Sequence, residues 1–294
     1  MPIFTGAGTA IVTPMHEDGS INYAAFEDLI NDQIRNGIDA IVTVGTSGEA
    51  STLTDEEHVE AIRFTVETVH GRVPVIAGTG SNDTVYAAAL SRKAQKAGAD
   101  GLLLVTPYYN KATQKGLIAH FSAIASSVDI PCLLYNVPSR CGVNLLPETV
   151  LALSQMQENI VGIKEASGNI SQIAHLAALT GDDFAIYSGN DDQIVPVCSL
   201  GGKGVISVLS NVAPRVTHDM VAYCLEGCYE KARTIQLKAM PLIAELFSEV
   251  NPIPVKAALN FQGFRAGAPR FPLTELEEGH KASLKQAMID FGCL

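Results

Sequence analysis

The sequence predicts a (β/α)8 TIM barrel with a C-terminal helical extension, on three observations. Eight short aliphatic runs recur between longer amphipathic segments. The runs are apolar on both faces, as strands of a parallel sheet covered by helices must be. The main rival, an open doubly wound sheet, calls for a G-x-G-x-x-G turn after the first strand, and the chain carries none. Eight repeats suit a closed barrel better than an open sheet.

The predicted strands are Thr9-Ala10-Ile11-Val12, Ala40-Ile41-Val42-Thr43-Val44, Val73-Pro74-Val75-Ile76-Ala77 and Gly101-Leu102-Leu103-Leu104-Val105. Cys132-Leu133-Leu134-Tyr135, Ile160-Val161-Gly162-Ile163, Phe184-Ala185-Ile186-Tyr187 and Gly204-Val205-Ile206-Ser207-Val208 complete the eight. Helical patterns separate them, for instance Asp55 to His70 and Thr84 to Ala97. Thr54 with Glu57 reads as a capping box, and Gly37, Gly71 and Gly98 stand where helices should end. After about Pro214 the pattern is helical only, so residues 1–225 are expected to form the barrel and residues 226–294 the extension.

Composition narrows the function. The 294 residues are 47% hydrophobic and 17% charged, with a formal net charge of −11 and a pI near 5.0. Such an acidic chain is a poor partner for nucleic acid or an anionic membrane, and neither is expected. It has no run of about 18 apolar residues, and Met1-Pro2-Ile3-Phe4-Thr5-Gly6 does not resemble a secretory leader. A cytoplasmic protein is expected. The six cysteines (Cys132, Cys141, Cys198, Cys224, Cys228 and Cys293) are scattered. Cys224 and Cys228 are expected to share a helix face, but zinc-site spacing is missing, so no zinc site is expected. A reactive lysine such as Lys164 would need neither a metal nor another cofactor, and none is expected.

The active site of such a barrel lies at the C-terminal ends of its strands. There the chain places Gly45-Thr46-Ser47-Gly48-Glu49, Thr106-Pro107-Tyr108-Tyr109-Asn110, Tyr135-Asn136-Val137-Pro138-Ser139-Arg140, Lys164 and Ser188-Gly189-Asn190-Asp191. Lys164 ends an apolar run, where desolvation should lower its pKa and leave a carbonyl-reactive amine. Taken alone it could equally bend into solvent or pair with Glu165. What favours the reactive reading is the company of hydroxyls and phenols on neighbouring strands. The small residues and N–H groups of Gly45 to Gly48 suit a carboxylate, or else form a capped glycine turn. Tyr135 could move a proton, or simply pack on its ring. Tyr108 and Tyr109 are adjacent and should point opposite ways. Arg140 could clasp a carboxylate with two hydrogen bonds or lie on the surface. Glu49 and Glu165 are left unassigned.

Three segments together resemble the dihydrodipicolinate synthase family of pyruvate-dependent, Schiff-base-forming lyases. They are Gly45-Thr46-Ser47-Gly48-Glu49, Tyr135-Asn136-Val137-Pro138-Ser139-Arg140-Cys141-Gly142 and Gly162-Ile163-Lys164-Glu165-Ala166. The resemblance extends from Gly6 to Lys256. It implies that Lys164 condenses with pyruvate, and that Thr46 and Ser47 hold its carboxylate. It further implies a hydroxyl relay of Thr46, Tyr135 and Tyr109, with Tyr109 reaching into a neighbouring subunit of a dimer or tetramer. Arg140 is implied to bind the carboxylate of aspartate semialdehyde, and Gly189 and Ile206 to offer backbone contacts near the lysine. Ser47 departs from the threonine usual in the family but keeps the hydroxyl.

The resemblance also implies a lysine-effector site near Ala50, Ser51, Asp55, His58, Asn82, Tyr86 and Tyr108. Here Tyr86 replaces a glutamate and Asp55 a histidine of lysine-inhibited members, so weak or absent lysine inhibition is expected. Three other readings stay open. One is a related pyruvate aldolase, such as N-acetylneuraminate lyase or a keto-sugar-acid aldolase. Another is a non-catalytic barrel that binds a keto acid. A third, ranked last, is a phosphate-binding barrel isomerase using Gly201-Gly202-Lys203-Gly204.

Overall fold

The structure is a computed structural model describing residues 2–294. It alternates β1 (Gly6–Ala10), α1 (Tyr23–Arg35), β2 (Ala40–Thr43), α2 (Asp55–Val69), β3 (Val75–Gly78) and α3 (Thr84–Lys96). Next come β4 (Gly101–Val105), α4 (Gln114–Ala125), β5 (Cys132–Asn136), the one-turn α5 (Pro138–Cys141), α6 (Pro147–Met156) and β6 (Ile160–Glu165). They are followed by α7 (Ile170–Thr180), β7 (Ala185–Ser188), α8 (Ile194–Ser199), β8 (Gly204–Ser207) and α9 (Pro214–Leu225). Three more helices end the chain: α10 (Tyr229–Leu246), α11 (Ile253–Phe261) and α12 (Glu278–Phe291). The eight strands close into a parallel barrel, β1 pairing with both β2 and β8.

Side-chain alternation divides the apolar residues into two cores. Ile41, Leu102, Leu104, Leu134 and Ile163 face outward into the layer under the helices. Val42, Leu103, Leu133, Tyr135, Tyr187 and Ile206 face inward and fill the barrel. Tyr187 stacks on Phe4 with ring centroids 4.4 Å apart and donates its hydroxyl to the Phe4 carbonyl at 2.6 Å, plugging the interior.

Local signals in the sequence account for many helix ends. Thr54 and Glu57 form the expected capping box. Asn22, Asp83, Thr113 and Asn169 each accept an N–H from the first turn of the helix they precede. Gly37, Gly71 and Gly98 follow the cap residues Asn36, His70 and Ala97, with φ of 83°, 71° and 93°. That is the left-handed position that favours glycine.

Strand boundaries differ from expectation where closure decides them. β1 begins at Gly6 rather than Thr9, because Gly6 to Thr9 pair with Gly204 to Ser207. β2 stops at Thr43, since Val44 turns away with φ 46°. β6 runs on through Glu165, so Lys164 lies inside the strand. Cys224 and Cys228 do not share a helix: α9 ends at Leu225 and Cys228 precedes α10. The thiol that Cys224 meets is Cys198.

Candidate active site

Lys164 points into the barrel because β6 carries a bulge. The β5–β6 register advances from Cys132↔Ile160 to Leu133↔Gly162, leaving Val161 as an extra residue. Ile160 and Ile163 both join the outer core, and Val161 packs on the inner one. Strict alternation from Val161 would turn Ile163 inward and Lys164 outward; the bulge reverses this. Lys164 then pairs in register with Tyr135 on β5 and Tyr187 on β7.

The Lys164 side chain is 6% exposed, and its Nζ lies over the Tyr135 ring, 4.6 Å from the centroid. Loss of hydration pushes its pKa down to about 8. The Arg140 charge acts in the same direction, and the Asp191 carboxylate opposes both. Asp191 is buried, and its Oδ2 accepts the N–H groups of Val208 and Leu209 at 3.0 and 2.9 Å. Burial raises the Asp191 pKa. Lys164 makes no ion pair with Glu165. That carboxylate faces outward and takes Asn136 Nδ2 at 3.0 Å and the Ser167 N–H at 2.7 Å. Burial raises its pKa too.

A cavity of about 210 Å³ opens over Lys164. Thr46, Ser47, Tyr135, Arg140 and Gly189 line it, as the sequence predicts. Tyr135 is buried, and desolvation raises its pKa while a hydrogen bond with Thr46 lowers it. Thr46 and Ser47 sit in a tight turn after β2. Val44 there is β-branched with positive φ, a strained conformation that persists only where its surroundings over-determine it. A Cβ on Gly48 would come within 2.9 Å of the Val44 Cα, so the turn closes only with glycine. Arg140, on α5, is exposed at the cavity edge.

Two predicted residues do not join this cavity. Ile206 is fully buried in the inner core beneath it, and Val208 lines the wall instead. Tyr109 is 91% exposed with φ 72° and touches no part of the cavity.

Asn251 and Phe247 also line the cavity and are absent from the sequence-based list; Asn190, which that reading names at its strand end without a role, lines it too. Asn251 and Phe247 belong to the segment after the last strand, which a barrel reading leaves outside the site. A signal was present at Lys256, a lysine within the apolar run Ile253 to Ala258. It is fully buried, and its Nζ meets Glu49 at 2.7 Å, the Ala268 carbonyl at 2.9 Å and the Thr13 carbonyl at 3.2 Å. Glu49 also accepts the Arg270 N–H at 2.7 Å. The extension is thereby bound to the turn that carries Thr46 and Ser47.

A second, larger cavity of about 390 Å³ adjoins the first, sharing Thr46, Tyr135 and Arg140. Ser51, His58, Tyr86 and Tyr108 line it. His58 bonds the Gly78 carbonyl at 2.8 Å, and burial lowers its pKa. Asn82 stands behind the wall, its Nδ2 donating to the Tyr108 carbonyl at 3.2 Å. The Asp55 carboxylate is outside the lining and accepts the Tyr86 hydroxyl at 2.7 Å. Among the described residues, no cluster of three or more His, Cys, Asp or Glu is placed to hold a metal.

The chain is similar to known proteins along its whole length. The 4-hydroxy-tetrahydrodipicolinate synthase of Lachnoclostridium phytofermentans is 59% identical over 294 residues, all of both chains. The crystal structure of dihydrodipicolinate synthase from Thermotoga maritima superposes with a TM-score of 0.98, at 43% identity and full coverage of both chains. The chloride-inhibited dihydrodipicolinate synthase of Acinetobacter baumannii, solved with pyruvate, matches at 0.96 and 43% identity over 99% of each chain. The family profile of the dihydrodipicolinate synthetases matches residues 3–290, and the chain belongs to that family.

Proposed function

We propose that this protein is a lyase that condenses pyruvate with L-aspartate 4-semialdehyde to give 4-hydroxy-tetrahydrodipicolinate, a step of lysine and diaminopimelate biosynthesis in the cytoplasm. The activity follows from full-length relatives that bear that name. The observation that carries the mechanism is Lys164, an amine enclosed beside a phenol with its pKa near 8.

The neutral Nζ attacks the keto carbon of pyruvate, whose carboxylate lies against the hydroxyls and N–H groups of Thr46 and Ser47. Tyr135, coupled to Thr46, moves the proton needed to expel water. The resulting iminium draws electrons from C3; loss of a C3 proton gives an enamine. That carbon attacks the aldehyde of aspartate semialdehyde, whose carboxylate Arg140 holds. The new compound's own amine then displaces Lys164 and closes a six-membered ring. Gly189 borders the lysine, and Ile206 supports the floor from beneath.

The site is small, and a cation stands at its edge. Both features suit a short carboxylated aldehyde better than the polyol of N-acetylneuraminate or a keto-sugar acid, and turnover of aspartate semialdehyde against sialic acid decides between them. Borohydride added with pyruvate should fix one reduced adduct on the peptide holding Lys164 and none after Lys164→Ala. An adduct elsewhere, or one that survives the substitution, overturns the assignment. Arg140→Ala should weaken aldehyde use while the adduct still forms.

A second reading concerns the larger cavity. Its lining contains no carboxylate, so a lysine ammonium entering past Ser51, His58, Tyr86 and Tyr108 meets no counter-charge. We infer weak or absent inhibition by lysine, and potent inhibition in a rate assay would show this wrong.

A further inference from the structure

We propose that Asn251, from the C-terminal extension, is a positioning residue that fixes the Ser47 hydroxyl for the pyruvate carboxylate and ties that seat to Arg140. The inference rests on the function proposed above. Its basis is a short chain of contacts. Asn251 is buried and lines the Lys164 cavity. Its Nδ2 donates to Ser47 Oγ at 3.0 Å, and its backbone carbonyl accepts from Arg140 at 3.2 Å. One residue therefore touches both groups expected to hold a substrate carboxylate.

The direction of the first bond matters. A serine hydroxyl has one proton and two lone pairs. Asn251 occupies a lone pair, so the Ser47 proton stays available to a carboxylate in the cavity. Serine also needs the help. It lacks the β-branch that holds threonine in few rotamers, so an outside contact must fix its χ1. The Asn251 Oδ1 has no partner, so Nδ2 alone orients the amide toward Ser47. The main-chain bond to Arg140 does not depend on the Asn251 side chain.

These contacts predict a split between the two substrates. Asn251→Ala should raise the pyruvate KM about five- to tenfold, the effect of losing one positioning hydrogen bond. The aldehyde KM should change less than about twofold, since the carbonyl that Arg140 uses remains. Ser47→Thr in the Asn251→Ala background should restore most of the pyruvate KM, because threonine fixes its own rotamer. In a Ser47→Ala background, Asn251→Ala should add nothing. Asn251→Asp keeps the shape but offers Ser47 only acceptors, so it should raise the pyruvate KM further than alanine does. Circular dichroism and thermal unfolding identify variants that do not fold, and the Asp substitution serves if Ala is one of them. Equal rises in both KM values, failure of threonine to restore, or an additive double variant would overturn the inference. The borohydride adduct on wild-type Lys164 separates the two proposals: its absence refutes the mechanism, whereas its presence with an unchanged pyruvate KM in Asn251→Ala refutes only the role of Asn251.

Discussion

Lys164 trades stability for reactivity. Its pKa falls from 10.5 to about 8, which corresponds to about 3 kcal/mol of unfavourable burial of the charged form. The unfolded chain binds this proton more tightly, so between about pH 8 and 10.5 the group makes stability rise with pH. Below pH 8 both states are protonated and the full cost is present. Lys164→Met should therefore abolish the reaction yet stabilise the fold at pH 7 by up to about 3 kcal/mol. The gain should shrink as pH climbs through the 8 to 10.5 window, and urea melts at pH 7 and pH 10 check the sign. The same pKa predicts that imine formation at saturating pyruvate accelerates as pH approaches 8 and then levels. A pH-independent rate would mean that the amine is not the titrating nucleophile.

Between elements, the extension and the β2 turn are bound by an ion pair with almost no access to water. Lys256 and Glu49 are 0% and 2% exposed at the side chain. Burial pulls the Lys256 pKa down, and Glu49 partly restores it. Removing one partner of such a pair strands the other charge. Lys256→Met should cost about 3 to 5 kcal/mol in denaturant unfolding. The Lys256→Met, Glu49→Met double variant should recover part of that loss. Because Thr46 and Ser47 lie three and two residues before Glu49 in the same turn, the single variant should also weaken pyruvate binding. A single variant as stable as the parent would show that the pair is not what holds the turn.

At the scale of the whole molecule, Tyr109 is the residue a single chain leaves unexplained. It is 91% exposed in a left-handed backbone conformation, and Tyr86 and Tyr108, which line the larger cavity, are exposed as well. We propose that this face meets a second copy and that Tyr109 completes the partner's relay. Tyr109→Phe and Lys164→Ala should each be inactive as pure assemblies. Mixed and reassembled, they should regain activity, because one hybrid site then combines an intact lysine with an intact tyrosine from the other chain. Absence of complementation would place Tyr109 outside the neighbouring site. The extension, residues 226–294, contacts the barrel segment, residues 1–225, at the turn after β2. We propose that they act as one unit, since Asn251 and Lys256 reach the barrel mouth from beyond residue 225.

The order of strands and helices, the apolar inner and outer faces and the capping box at Thr54 are local properties. Each depends on residues a few positions apart, so periodicity and propensity reveal them. The types of group at the strand ends were legible for the same reason, and the structure gathers Thr46, Ser47, Tyr135, Arg140, Lys164 and Gly189 around one cavity. Tertiary structure decided the rest. The bulge at Val161 turns Lys164 inward, and it arises from pairing with β5, about 28 residues away, which no window along β6 contains. Asn251 enters the site, and Lys256 ties down the turn that carries Thr46 and Ser47, through contacts spanning about 200 residues. Ile206 and Val208 exchange places at the cavity wall because closure of β8 on β1 sets which residue reaches the mouth. Register and long-range contact are properties of the closed cylinder, and a linear pattern carries no record of them.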